Sequence, residues 1–146
     1  MKKQLITSAV VAISSTVATV PLCAEHLLPV ISNVSRNSSN VAQGKGIVDI
    51  NDKSSAESLS ITESVGQVFV FRCPSFYPNY PVWGTGIYSG GSSICNASLH
   101  IGAISQNGGV VKVKILGSQS RFRQSQRNGV LSQSYGEYPT SFGFLR

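Results

Sequence analysis

A chain of 146 residues supports one domain and little else. Hydrophobic residues make up 41%, enough for a core, while charged residues make up only 12%, about half the usual globular share. Ser, Asn, Gln, Thr and Gly carry the polarity instead, as is common in exported proteins, and the formal net charge is +6.

Met1-Lys2-Lys3 is a short basic head, and Leu5 to Val20 is an uncharged apolar and small-residue run. That layout reads as a secretory signal peptide over residues 1–24, with cleavage after Ala24. The run is too short and too rich in Ser and Thr for a membrane span. The alternative, a lipoprotein anchored at Cys23, suffers from Leu22, which stands where such a signal wants a smaller residue. The two-lysine head has a bacterial look, so the expected location is secreted or periplasmic. From Glu25 onward ten Lys/Arg oppose six Asp/Glu, so the mature charge is 10 − 6 = +4. A basic face attracts nucleic acid, anionic lipid or anionic polysaccharide. Export argues against nucleic acid.

Removing the leader leaves Cys73 and Cys95, which in an exported chain are expected to pair. Residues 25–58 read as a flexible lead-in, with Gly46-Ile-Val-Asp-Ile50 as one short strand within it. Asn33, Asn37 and Asn96 head Asn-x-Ser sequons. The domain itself is expected over residues 59–146. Val68 to Arg72 is dense in β-branched and aromatic residues and predicts a strand. Residues 75–91, rich in Pro, Tyr, Gly and Ser, predict a long ordered loop held by the disulfide.

Ser92 to Ile104 is the helix candidate, with Ser92 or Ser93 as its cap. Ile94, Ala97, Ile101 and Ile104 build one apolar stripe. Gln106 to Gly109 predicts a turn and Val110 to Leu116 a strand. In that strand Val111, Val113 and Ile115 alternate with Lys112 and Lys114, which gives one buried face and one basic face. Phe122, Val130, Tyr135, Phe142 and Phe144 mark further short strands, separated by turns at Asn128-Gly129 and Gly136.

Several blocks resemble the LCCL domain family in that family's order. They are Val65-Gly-Gln-Val-Phe-Val-Phe-Arg-Cys-Pro74, then Val82-Trp-Gly-Thr85 with Tyr88, then Ser92-Ser-Ile-Cys-Asn-Ala97 with His100 and Gly102. Gly108-Gly-Val-Val-Lys-Val113 follows, then Asn128-Gly-Val-Leu-Ser132, Ser134-Tyr-Gly136 and Ser141-Phe142. The resemblance covers roughly residues 60–146. It departs around His100, where Ser98, Leu99 and Ile101 replace smaller residues, and in having two domain cysteines where animal members often have four. The resemblance implies an α+β fold, one central helix (about 92–104) wrapped by short antiparallel β-strands. It also implies a secreted binding module, with lipopolysaccharide, lipid or carbohydrate as proposed ligands and no catalytic machinery.

Candidate chemistry is sparse. Cys95 and His100 are five apart, but an oxidised cysteine is no nucleophile. An exported hydrolase using His100 is therefore the weakest reading. His26, His100 and six scattered acids form no metal cluster, and no cofactor is expected. Trp83 is expected to plug the core and His100 to bond against the sheet, with Asn128 and Gly129 also structural. Lys112, Lys114, Arg121, Arg123 and Arg127 are the candidate ligand-binding residues, joined by Tyr77 and Tyr80 in the disulfide loop. Their bland alternative is the ordinary solvation of an exposed sheet face. The expected partner is an anionic glycan or lipid, or an exported protein.

Overall fold

A computed structural model describes residues 46–146. The leader, Cys23, His26 and the sequons at Asn33 and Asn37 lie outside the described residues. Eight strands and one helix follow in chain order. They are β1 (Ile47–Asp49), β2 (Val68–Cys73), β3 (Gly84–Thr85), β4 (Ile87–Ser89), α1 (Ile94–Ile101), β5 (Gly109–Leu116), β6 (Gln126–Arg127), β7 (Val130–Leu131) and β8 (Ser141–Leu145). A six-stranded sheet runs β1-β2-β5-β8-β4-β3, and β6-β7 form a separate hairpin.

The α+β expectation holds, with two differences in detail. The strands pair antiparallel except β1, which lies parallel to β2, because Ile47 to Asp49 register with Val70 to Arg72 after a long connection. The helix is shorter than expected. Ser93 Oγ accepts the Asn96 N–H at 3.1 Å and caps its start. At the other end Gly102 adopts φ +79°, its N–H bonds Leu99 O, and the Ala103 N–H bonds Ser98 O. This closed left-handed end stops the helix at Ile101 although the apolar stripe continues to Ile104. Ile104 still packs on the core from the following loop.

Alternation on the central strands divides the sheet into two faces. Phe69, Phe71, Val111, Val113, Ile115, Tyr88 and Phe142 are buried on the inner face. There they share one core with Ile94, Cys95, Ala97 and Leu99 of α1. The helix is buried on all sides, from Ile94 to His100. Asn96 is among these residues, so the folded domain closes its sequon to a glycan. Cys73 at the end of β2 bonds Cys95 in the first turn of α1, tying sheet to helix.

The compact unit begins before residue 59. Residues 46–58, expected as a flexible lead-in, carry β1 and a series of turns whose Ala56 is fully buried. Serines make that burial affordable. The Ser54 hydroxyl donates to Asn51 Oδ1, and the Ser58 hydroxyl donates to Ser55 O. Polar composition here reflects satisfied polar groups under cover rather than a solvated linker.

Candidate functional site

The outer sheet face is built by cross-strand register. Lys114 of β5 lies opposite Val68 of β2 on one side and Gly143 of β8 on the other. Gly143 lies opposite Ile87 of β4, and Ile87 opposite Thr85 of β3. Two residues back along β5, Lys112 lies between Val70 and Leu145. Ile47, Val68, Ile87, Val110 and Leu145 remain exposed on these strands. The face is therefore mixed, with cations among aliphatic side chains. Gly143 contributes no side chain and leaves a low point between Lys114 and Ile87.

A recess lies at each end of this surface. The first, about 490 Å³, opens between the sheet and the end of α1. Ile101, Val111, Phe144 and Leu145 give it apolar walls, and Lys112 and Arg146 supply cations. The second, about 400 Å³, is lined by Thr85, Ile87, Gln119, Phe122, Arg121 and Arg123 among others. Phe122 points inward and is buried, while Arg121 and Arg123 on either side of it are exposed. The expected alternation is present, although this segment makes an isolated bridge to Tyr135 rather than a strand. The Thr85 hydroxyl donates to Arg123 O at 2.8 Å and fixes the arginine segment against β3. Neither recess is lined by an acid.

Four of the seven residues expected as ligand-binding thus lie along one surface: Lys112, Lys114, Arg121 and Arg123. Arg127 does not. It sits on the β6-β7 hairpin, exposed, and lines neither recess. Tyr77 and Tyr80 are on the loop after Phe76, whose N–H bonds Gln106 O, and they also line neither recess. Arg146 and apolar walls stand beside Lys112 as well. They meet only because β5 and β8 end beside the last turn of α1, and no local pattern announces that.

Trp83 differs from its expected place. It is only partly buried and is absent from the core, because its neighbours Val82 and Gly84 are the buried ones and alternation turns Trp83 the other way. His100 sits within the core. It is fully buried, with Nδ1 2.8 Å from the Tyr88 hydroxyl and Nε2 3.1 Å from Ser125 O. A carbonyl can only accept, so this network assigns the proton to Nε2 and makes Nδ1 the acceptor of the Tyr88 O–H. Burial pushes the imidazole below its usual pKa; the Ser125 carbonyl opposes the shift and the Arg127 charge adds to it. Burial likewise pushes the Tyr88 phenol up. With Cys95 in the disulfide and both His100 nitrogens engaged in the core, the two cannot act as nucleophile and base. Asn128 adopts φ +49° in the two-residue β6-β7 turn, and its amide donates to His100 O at 3.1 Å, capping the helix end.

Among the described residues no group of three or more His, Cys, Asp or Glu stands together as metal ligands. No helix of the described residues is long and apolar enough to cross a membrane.

These features define an α+β domain with a buried central helix, a disulfide from sheet to helix, and a basic outer face. The LCCL domain model matches residues 49–142, and the chain belongs to the LCCL domain family. Mouse (Mus musculus) vitrin is 38% identical over 76 residues, covering 51% of this chain and 12% of vitrin. Clotting factor C of Tachypleus tridentatus is 33% identical over 91 residues, covering 61% of this chain and 9% of that protein. Cochlin of Cavia porcellus is 33% identical over 103 residues, covering 69% of this chain and 18% of cochlin. The chain therefore spans about an eighth of the length of the vitrin it matches, so the likeness is to one module of longer proteins.

Proposed function

We propose that this domain is an exported, non-enzymatic binding module for an anionic envelope or matrix component: lipopolysaccharide, an anionic lipid or an acidic polysaccharide. The observation that carries this reading is the continuous outer surface linking Lys112, Lys114, Arg121 and Arg123 across Gly143 and Ile87. Guanidinium groups suit phosphate through paired hydrogen bonds. The aliphatic side chains between them suit acyl chains or the apolar faces of sugars. An anionic amphiphile answers both halves of that surface. The domain's place within longer relatives also fits a second reading, an accessory or protein-interaction module of an exported assembly.

The test is binding to immobilised lipopolysaccharide at low and physiological salt. The wild type binds, and Arg121→Ala/Arg123→Ala weakens binding at least about tenfold, the scale of losing charge-assisted hydrogen bonds. Binding also weakens as salt rises. Undiminished binding by the double variant excludes the arginine recess.

A further inference from the structure

A third recess, about 230 Å³, shares no lining residue with the two basic ones and carries the opposite charge. Trp83, Tyr135 and Tyr138 line it together with Glu57, Ser89 and Gly91. Trp83 and Tyr135 meet at 6.2 Å between centroids with their planes at 64°, and Tyr135 meets Tyr138 at 5.6 Å and 71°. Rings at such steep angles do not form a flat platform. They form separate walls of the recess. In a chain with excess positive charge, no Lys or Arg lines this recess, and its one charged group is the Glu57 carboxylate.

Two details keep the recess open and its charge in place. The Tyr138 hydroxyl donates to Glu57 Oε1 and fixes the carboxylate at the rim. That hydrogen bond, with some burial and the nearby negative charge, pushes the Tyr138 phenol up to about 12, so it stays a neutral donor throughout the physiological range. A side chain at Gly91 would stand 3.0 Å from the Tyr138 hydroxyl and 3.4 Å from Glu57 Oε2, and would fill the floor. A fully buried aromatic cluster would need no such opening. Tyr135 is 47% exposed.

We propose that Trp83, Tyr135, Tyr138 and Glu57 form an aromatic cage for a quaternary ammonium group. Aromatic faces attract a cation through their quadrupoles, most strongly where water is excluded. A trimethylammonium ion sheds its water more easily than a primary ammonium and presents methyl groups to the rings. Glu57 supplies the counter-charge. The recess is smaller than the roughly 300–1,000 Å³ of drug-sized pockets, which suits one such headgroup. The group could arrive as a free solute or on a phosphocholine lipid, and the two sources share this chemistry.

Trp83 is the only tryptophan of the chain and reports on the cage directly. Its fluorescence in the purified full chain is followed during titration with choline and with choline's neutral tert-butyl analogue. Choline gives a saturable change with a Kd on the order of 1 mM, and the neutral analogue binds at least about tenfold more weakly. Glu57→Gln keeps an acceptor for Tyr138 while removing the charge, and Tyr135→Ala removes one exposed wall. Each raises the choline Kd roughly tenfold while unfolding stays cooperative. Arg121→Ala/Arg123→Ala does not weaken choline binding, which separates this site from the basic surface. Sedimentation with phosphatidylcholine vesicles that is lost in Glu57→Gln assigns the group to a lipid headgroup; choline binding without sedimentation assigns a soluble ligand. No saturable response to choline, or equal binding of the neutral analogue, overturns the proposal.

Discussion

Replacing Cys73 and Cys95 with alanine is expected to lower stability by about 3 kcal/mol and the melting temperature by roughly 10–20 °C. The bond closes a 22-residue separation, and in the chain-entropy picture that constraint falls on the unfolded state. Its position adds to the effect. Cys73 is the last residue of β2, Cys95 lies in the first turn of α1, and both are buried in the core. The segment between them includes the loop with Phe76 and Val82, two core residues that a short tether brings back to the helix. A domain of this size has a total stability of about 5–15 kcal/mol, so the loss is a large share. Thermal unfolding of Cys73→Ala/Cys95→Ala beside the wild type checks this. A change under about 1 kcal/mol would mean that α1 and the sheet hold each other without the bond.

Gly84→Ala is the second severe change. Gly84 belongs to the Trp83-Gly-Thr85 block and opens the β3-β4 hairpin at φ +108°, a conformation L side chains rarely adopt. A Cβ there would stand 2.2 Å from Ile87 O and 2.9 Å from the Phe122 ring. The first contact is with backbone and cannot be relieved by a rotamer change. Relief means moving β4, and with it Tyr88, whose hydroxyl holds His100. The expected cost is at least about 3 kcal/mol, from backbone strain and clash together. Gly117→Ala is the control, since its Cβ would enter open space without a positive φ. It is expected to stay within about 0.5 kcal/mol of wild type. Equal stability of the two variants would show that the hairpin moves freely.

The readable parts of the fold were those fixed by local periodicity. β2 and β5 alternate strongly, and the structure gives Val68–Cys73 and Gly109–Leu116, within a residue of expectation. The helix start was marked by serine. Its end was marked too, by Gly102, but Ile104 continues the apolar spacing and draws the eye past the stop. Residues 46–58 were opaque for a different reason. Burial of Ser54 and Ser55 depends on hydrogen bonds that composition does not display. Size alone favours a core position for Trp83, whereas the burial of its neighbours Val82 and Gly84 turns it to the other side. The basic surface was half legible. Alternation exposed Lys112 and Lys114, and Phe122 exposed its flanking arginines, but only sheet order β5-β8-β4-β3 puts the two pairs on one face.

That face is the central claim, and amide chemical shifts test it most directly. An isotope-labelled domain titrated with lipopolysaccharide below its aggregation threshold is predicted to show its largest shifts at Lys112, Lys114, Gly143, Ile87, Arg121 and Arg123. Shifts at Tyr77, Tyr80 and Arg127 are predicted to be small. Perturbation centred on the Tyr77–Tyr80 loop or the β6-β7 hairpin, with the outer sheet face unmoved, would contradict the account.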